Sequence, residues 1–184
     1  MAGMTLIVVR CPACGNPLTP EDNDLVIACG QCGAGLHLSD LGPEPIEIQY
    51  ARSNLARINV WRPWWIFTGS VNLTRRETQG GNRSEDARRF WAQPRIMSVP
   101  AWDLTLSSIK QAGIQMLQQP PALNAMPRPA GAKLTPAVVS AEDARKMLEF
   151  LIFTLETSRD DWLKTLDFTI EAGFPELWAI AAEQ

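Results

Sequence analysis

Two short cysteine motifs, Cys11-Pro12-Ala13-Cys14-Gly15 and Cys29-Gly30-Gln31-Cys32-Gly33, decide how the first part of this chain folds. They hold all four cysteines of the 184 residues, and fourteen residues separate the two pairs. A Cys-x-x-Cys turn directs two sulfurs at one ion, and the glycine after it supplies the positive φ that the turn needs. Two such turns facing each other predict a tetrahedral site of four sulfurs, which suits zinc and, less often, a single iron. The predicted ligands are Cys11, Cys14, Cys29 and Cys32.

Apolar and β-branched residues flank both motifs. Residues 4–10 lead into the first motif, residues 25–28 lead into the second, and residues 36–38 leave it. Such runs predict the order strand, turn, strand, turn, strand. On these motifs and flanks, residues 4–38 resemble the zinc-ribbon superfamily. The resemblance implies a bound zinc ion and a small β-ribbon, and it implies no single function.

Structural zinc is the predicted occupant, and iron and disulfides stay open as alternatives. Rubredoxins use the same Cys-Pro-x-Cys-Gly turn for redox iron, but they place more chain and more aromatic residues between their motifs, whereas residues 16–28 contain no aromatic residue. A thioredoxin-like redox pair needs only one Cys-x-x-Cys, beside a βαβ pattern. Two disulfides need an oxidising compartment, for which the N-terminus gives no sign.

The composition predicts a folded protein. Apolar residues make up 46% of the chain and charged residues 20%, which lies outside the range of disordered chains. No apolar run reaches the roughly 20 residues of a membrane-spanning helix, and the N-terminus lacks the pattern of a secretory signal. We therefore expect a cytoplasmic protein with one ordinary domain or two small ones.

The predicted fold class is α+β, with an N-terminal rubredoxin-like or zinc-ribbon β module followed by a mixed α+β domain with β-hairpins and a buried C-terminal helix. Pro43 and Pro45 mark the first boundary, and five prolines within residues 118–139 indicate a connector that either lies over the surface or tethers the C-terminal region. The predicted regions are a zinc ribbon at 1–42, an Arg- and Trp-rich α+β region at 43–118, a Pro-rich connector at 119–139, and a helix with a C-terminal β-hairpin at 140–184.

Strand and helix signals fill these regions. Pro63 is expected to break a strand-rich stretch, Ser84 to cap a short helix that ends before Pro94, and Asp103 or Ser107 to cap the next helix. Ser140 is expected to begin the strongest helix, whose second half is apolar on nearly all sides. The predicted strands are 46–50, 57–61, 64–68, 70–74, 95–99, 166–171 and 176–180, the last two forming a hairpin through 173–175.

Residues 51–100 form a basic region in an acidic chain. They carry nine arginines, three acids and no lysine, while the whole chain has a net charge of −3. Arginine beside tryptophan is typical of protein–protein hot spots, and the same mixture stacks bases and neutralises phosphates in nucleic-acid-binding proteins. The acidic pI near 5.2 and the lack of lysine favour a protein partner, with nucleic acid as the alternative. The predicted partner-binding residues are Arg62, Trp64, Trp65, Arg75, Arg76, Arg88 and Arg89.

Residues typical of catalysis are scarce. The cysteines are assigned to a metal, and His37, the single histidine, is expected to be an exposed strand residue because four thiolates already close the site. The pair Asp160-Asp161 is interpreted as a solvated turn at the end of a helix. The sequence thus predicts a non-catalytic accessory, scaffold or assembly subunit.

The expected partner is a protein, within a larger complex, and peripheral membrane association through that partner stays open. Residues 61–67 and 166–180 also resemble uncharacterised bacterial proteins in which a zinc ribbon precedes a Pro-aromatic-Trp motif. This second resemblance implies no activity.

Overall fold

A computed structural model describes residues 8–55, 58 and 60–182. The strands predicted at 4–10 and 57–61 therefore lie partly outside the described residues. Within them, the fold is mixed α+β, with two β-sheets and three helices.

The first sheet is a small antiparallel ribbon that follows the cysteine motifs. Its strands run in the order β1-β2-β3, and Leu36 in β2 is completely buried. Ahead of them, Arg10 and Pro17 form an antiparallel bridge across the first motif. These strands are β1 (Val26–Ala28), β2 (Gly35–Ser39) and β3 (Gly42–Pro45).

The second sheet has six strands, and β5 is its axis because three other strands pair with it. The order is β6-β5-β9-β4-β7, and β8 also pairs with β5. All pairs are antiparallel except β4 with β9. The strands are β4 (Ile48–Ala51), β5 (Val60–Gln79), β6 (Arg95–Pro100), β7 (Ala125–Met126), β8 (Trp162–Ala172) and β9 (Glu176–Ala182).

Strand β5 is one continuous element of 20 residues, although separate strands were predicted here. The expected break at Pro63 is wrong, since Pro63 pairs opposite Ala179 and its carbonyl oxygen accepts a hydrogen bond from the amide of Ala101 at 3.0 Å. Trp65 and Phe67 face one apolar cluster and Trp64 faces another, so the first half of β5 is buried on both faces. This explains why the run shows no alternation there.

The predicted hairpin between the last two strands is also wrong. Strands β8 and β9 instead lie one after the other along the same edge of β5, where Gly69 pairs with Ala172 and Ile66 pairs with Glu176. Residues 173–175 therefore span a gap within one long edge rather than reversing the chain. The opposite edge of β5 pairs with β6.

Three helices cover the sheet: α1 (Ser84–Ala92), α2 (Leu106–Gln118) and α3 (Ala141–Thr157). The expected cap is confirmed for α3, where the Ser140 side chain accepts from the amide of Asp143. For α2 the cap is Thr105 rather than Asp103 or Ser107. Ser84 is the first residue of α1 instead of its cap, and its hydroxyl donates to the carbonyl oxygen of Arg76 at 3.4 Å.

The predicted connector, residues 119–139, is hydrogen-bonded to both sheets. Its strand β7 pairs with β4, and the amide of Trp61 donates to the carbonyl oxygen of Lys133 at 2.8 Å. Ala137 is fully buried and exchanges backbone hydrogen bonds with Val26 of the ribbon, at 2.8 and 3.0 Å. The segment therefore packs between the ribbon and the larger sheet and connects them through hydrogen bonds; it does not act as a free linker.

Among the described helices, none combines the length and the apolar character needed to cross a membrane.

Candidate metal centre

The two cysteine motifs fold into the same backbone turn, which we call a knuckle. In the first knuckle (residues 11–16), the amide of Cys11 donates to the carbonyl oxygen of Asn16 at 2.9 Å, and the amide of Gly15 donates to that of Cys11 at 2.8 Å. In the second knuckle (residues 29–34), Cys29, Gly33 and Ala34 repeat this pattern with both distances at 2.8 Å. Equal spacing in the sequence therefore produces equal local structure.

Glycine is required at the fifth position of each motif. Gly15 has φ 73° and Gly33 has φ 76°, values that other residues adopt only at a steric cost. The predicted need for a positive φ after each pair is confirmed. These turns bring the cysteine side chains of each knuckle to the same side.

The four Sγ atoms lie within 4.8 Å of one another and could hold a metal ion. Two of the pairs, Cys11 with Cys32 and Cys14 with Cys29, join one knuckle to the other with sulfur–sulfur distances of 3.7 Å each. With metal–sulfur bonds of about 2.3 Å, tetrahedral coordination places the sulfurs about 3.8 Å apart. A disulfide would need about 2.05 Å. The structure thus brings together all four predicted ligands at a spacing suited to one tetrahedral ion.

Amide groups around the sulfurs favour the thiolate form at two of them. The Asn16 side-chain amide, 3.4 Å from the Cys14 sulfur, lowers the pKa of Cys14 to about 6. The backbone amide of Cys32 lowers the pKa of Cys29. The Ala34 amide also acts to lower the pKa of Cys32, but desolvation and the three neighbouring thiols raise it to about 11. Since metal ligation requires thiolates, an ion entering this cluster releases protons.

Little apolar core supports the ribbon besides the cysteines themselves. Cys11 and Cys29 are buried together with Leu18, Ile27 and Leu36, whereas the other two cysteines are exposed. A core this small is insufficient to hold a separate fold unaided, and metal ligation commonly makes up the difference.

His37 is not part of this sulfur cluster. It lies half-buried in β2, paired opposite Glu44 of β3 and Val26 of β1. Leu36 beside it in the strand faces the ribbon core. Among the described residues, the candidate metal ligands are the four cysteines alone.

Trp64 and Trp65, predicted as partner contacts, lie in the interior. They are 7% and 5% exposed, and the indole nitrogen of Trp65 donates to the carbonyl oxygen of Val139 at 2.7 Å. This corrects their assignment to a surface, because both faces of β5 are covered at this point. Arg62 is half-buried, with its guanidinium 3.1 Å from the Thr135 hydroxyl.

Arg76, also predicted as a surface contact, has a completely buried side chain. It donates two hydrogen bonds to the Asp161 carboxylate, at 2.7 and 2.8 Å, and one to Glu156 at 2.8 Å. Glu156 also accepts from the indole of Trp91 at 2.7 Å and from Arg159 at 2.8 Å. We call these residues the buried ion network; it joins β5, α1, α3 and the start of β8.

A β-bulge decides which of two neighbouring arginines is buried. Val71 and Leu73 point inward in the predicted alternation, and the pairing with β8 then shifts by one residue between Leu73 and Arg75. The shift turns Arg75 toward solvent, where it pairs with Glu77, and turns Arg76 inward. Simple alternation would have buried Arg75 instead.

The interpretation of Asp160-Asp161 as a solvated turn is half wrong. Asp160 is exposed, whereas the Asp161 side chain is buried and also accepts from the backbone amide of Arg83 at 2.8 Å, at the start of α1. The Arg76 guanidinium holds the pKa of Asp161 down at about 2. A signal for this network is present in the sequence, since Glu156 continues the buried helical series of Leu148 and Ile152 and a carboxylate there needs a cation.

The remaining predicted contacts are accessible. Arg75, Arg88 and Arg89 are exposed, and Arg89 lies 3.4 Å from the Glu85 carboxylate. Their role in partner binding stays a prediction.

Comparisons of this chain with protein-family models, with curated proteins and with solved structures find no match.

Proposed function

We propose that this protein is a non-catalytic zinc-ribbon protein that holds one structural Zn²⁺ at Cys11, Cys14, Cys29 and Cys32 and serves as an accessory subunit for a protein partner. The proposal rests on the convergence of four sulfurs from two matching knuckles. The cytoplasmic location expected from the sequence remains a prediction, and it suits a site that needs free thiols.

The donor set supports a structural metal ion, and zinc is the ion that we propose. Four thiolates in a tetrahedral arrangement suit zinc or a single iron, and sulfur–sulfur distances alone do not separate the two metals. Four thiolates also leave no coordination position for water or substrate, which favours a structural over a catalytic centre. Because the apolar core of the ribbon is small, metal ligation would supply stability that the core lacks.

Elemental analysis of the purified protein tests the metal assignment. We expect one zinc per chain, loss of zinc in Cys11→Ser and Cys29→Ser, and full zinc content in the control variant His37→Ala. Visible absorption of the isolated protein would indicate an iron tetrathiolate instead. A chain that carries neither metal, or that keeps zinc without these cysteines, would contradict the proposal.

For the partner, the structure supports a different surface from the one predicted. Phe150 and Phe153 are 38% and 48% exposed and lie three residues apart on the outer side of α3, and Trp162 is 76% exposed. Thr157, one turn beyond Phe153, lines the same surface hollow as Trp162. We call Phe150, Phe153 and Trp162 the apolar stripe, and we propose that a protein partner covers it.

A protein partner fits this region better than nucleic acid does. Arg75, Arg83 and Arg89 each lie within 4 Å of a carboxylate of this chain, so their charge is partly offset. Most of the tryptophans in the basic region are buried and offer no stacking surface for bases. Among the described residues, three of the four large aromatic side chains that are exposed belong to the apolar stripe, and the fourth is Phe174.

Affinity capture with matched variants tests this surface. Wild-type protein and the control Leu106→Ala, which truncates an exposed leucine on α2, should retain the same bound protein after nuclease treatment and at high salt. The double variant Phe153→Ala, Trp162→Ala should lose it. Capture that the double variant leaves intact would rule out the stripe, and capture abolished by nuclease would favour nucleic acid.

A further inference from the structure

Arg128, in the segment that fastens the ribbon, lies directly against the second knuckle. A side chain at Gly33 would collide with its guanidinium, since a Cβ placed there would lie 2.5 Å from the Arg128 Cζ and 2.7 Å from its Nε. Gly33 follows Cys32, and consecutive Cα atoms are about 3.8 Å apart. Adding these lengths places the Arg128 Nε within about 8 Å of the Cys32 Cα atom.

Among the described residues, Arg128 has one hydrogen-bond acceptor and no carboxylate partner for its positive charge. One guanidinium nitrogen donates to the carbonyl oxygen of Ala132 at 2.9 Å, but the Nε atom is buried and has no hydrogen-bond partner. Within the described part of the chain, no carboxylate lies within ion-pair distance of Arg128, whereas Arg75, Arg76 and Arg159 all have one. A nearby anion would stabilise a half-buried guanidinium in this position.

The metal centre would supply that anion. A divalent ion held by four thiolates carries a net charge of −2, and the second knuckle contributes two of the four sulfurs. At physiological salt, the interaction between two exposed charges is largely screened only when they lie more than about 8 Å apart. The guanidinium of Arg128 is thus placed to offset part of the charge that ligation creates.

We propose that Arg128 is a positioning residue of the metal centre, which offsets the negative charge of the loaded tetrathiolate and so links metal occupancy to the docking of residues 125–137 onto the ribbon. This inference rests on the proposed metal-binding function. Its physical basis is the contact with Gly33 together with the unpaired Nε of Arg128.

The segment that contains Arg128 is hydrogen-bonded to both sheets close to this residue. A few residues further along the chain, Lys133 and Thr135 form backbone hydrogen bonds with Trp61 of β5, and Ala137 forms them with Val26 of β1. An empty cluster lacks the ion that holds the four sulfurs together beside Arg128. Loss of metal should therefore loosen the hydrogen bonds between Ala137 and Val26, outside the knuckles themselves.

Zinc affinity measured by competition with a chromophoric chelator tests the role of Arg128 in the full-length protein. We expect Arg128→Gln to bind zinc about tenfold more weakly than wild type, as is typical when a group that supports metal ligands is removed. Arg128→Lys, which keeps the charge, should recover part of the affinity. The control Lys110→Gln, which removes a positive charge from an exposed position on α2, should bind zinc as wild type does.

Two further readouts separate this role from a general loss of stability. The affinity difference between wild type and Arg128→Gln should shrink as salt is raised, because screening weakens the charge interaction. Hydrogen exchange at Val26 and Ala137 should be faster in zinc-loaded Arg128→Gln than in zinc-loaded wild type.

Equal zinc affinity of wild type and Arg128→Gln would overturn this inference alone and leave the proposed function intact. So would a difference that is independent of salt and not recovered by Arg128→Lys, since that result would indicate packing rather than charge. A wild-type protein that binds no metal would instead overturn the proposed function, and the inference with it.

Discussion

The ribbon, residues 8–45, and the sheet body, residues 46–182, are stabilised in different ways. The ribbon buries a cluster of only five residues, two of which are cysteines. The main cluster of the sheet body contains eighteen buried residues drawn from its strands and helices, with Val26 as the ribbon's contribution. The comparison shows that the apolar core of the ribbon is small enough for the proposed ligand bonds to matter to its stability, whereas the sheet body has enough apolar core to carry a buried ion network as well.

Of the changes considered, metal removal should produce the largest difference in stability between the ribbon and the sheet body. Structural zinc contributes on the order of 10 kcal/mol to the folding of small zinc modules, and the ribbon's own buried cluster has only five residues. After treatment with a chelator, hydrogen exchange should become fast at ribbon amides such as those of Cys29 and Leu38, while amides of β5 and α3 stay protected. If the ribbon amides stay protected in the metal-free protein, the ribbon fold does not depend on bound metal.

Truncation of Arg76 should have the next largest effect, confined to the sheet body. Arg76→Leu leaves the carboxylates of Glu156 and Asp161 buried without their main partner, and breaking a buried ion pair in this way costs about 3–5 kcal/mol. Urea unfolding followed by tryptophan fluorescence measures the loss, and zinc content should not change. A loss below about 1 kcal/mol would mean that the network is solvated rather than buried.

Acid should weaken the sheet body through Asp161. Its pKa is lowered from 3.8 to about 2 in the folded protein, so the unfolded chain takes up the proton first as the pH falls. The stabilisation is present above the unfolded value of 3.8 and is lost as the pH falls through about 2. Thermal unfolding across this range should show a steeper loss for wild type than for Asp161→Asn, and equal slopes would argue against the assignment.

Truncation of Arg75 should have the smallest effect on stability and serves as the reference for Arg76→Leu. Arg75 and Glu77 are both about half exposed, and exposed pairs contribute about 0–1 kcal/mol. Arg75→Leu should therefore leave the urea midpoint close to that of wild type, in contrast to Arg76→Leu. A large loss at Arg75 would mean that the bulge lies elsewhere.

The ribbon could be predicted from the sequence because its determinants are local. The four cysteines, with Gly15 and Gly33, specify the turns by residue type and spacing, and the structure brings their sulfurs together as expected. The identity of the metal does not follow from spacing, since zinc and iron accept the same four thiolates.

The sheet body was predicted less well because its decisive features are non-local. Nothing in the order Leu73, Thr74, Arg75, Arg76 shows where β8 will shift its register, and that shift alone selects the buried arginine. Similarly, Gly173 and Pro175 are typical turn residues, yet here they interrupt a strand edge rather than form a hairpin. Both outcomes depend on pairing with β5, about a hundred residues earlier in the chain.

The pairing of β5 has a consequence for the order in which the protein can fold during its synthesis. The ribosome releases β5 well before β8 and β9, so one edge of a long strand remains open to unwanted partners until those two strands have been made. The two knuckles precede β5 in the chain and are complete within a short stretch of it. A nascent chain that binds the proposed ion can therefore do so before the larger sheet is complete. The interval before β8 and β9 pair with β5 is then the stage at which aggregation is most favoured.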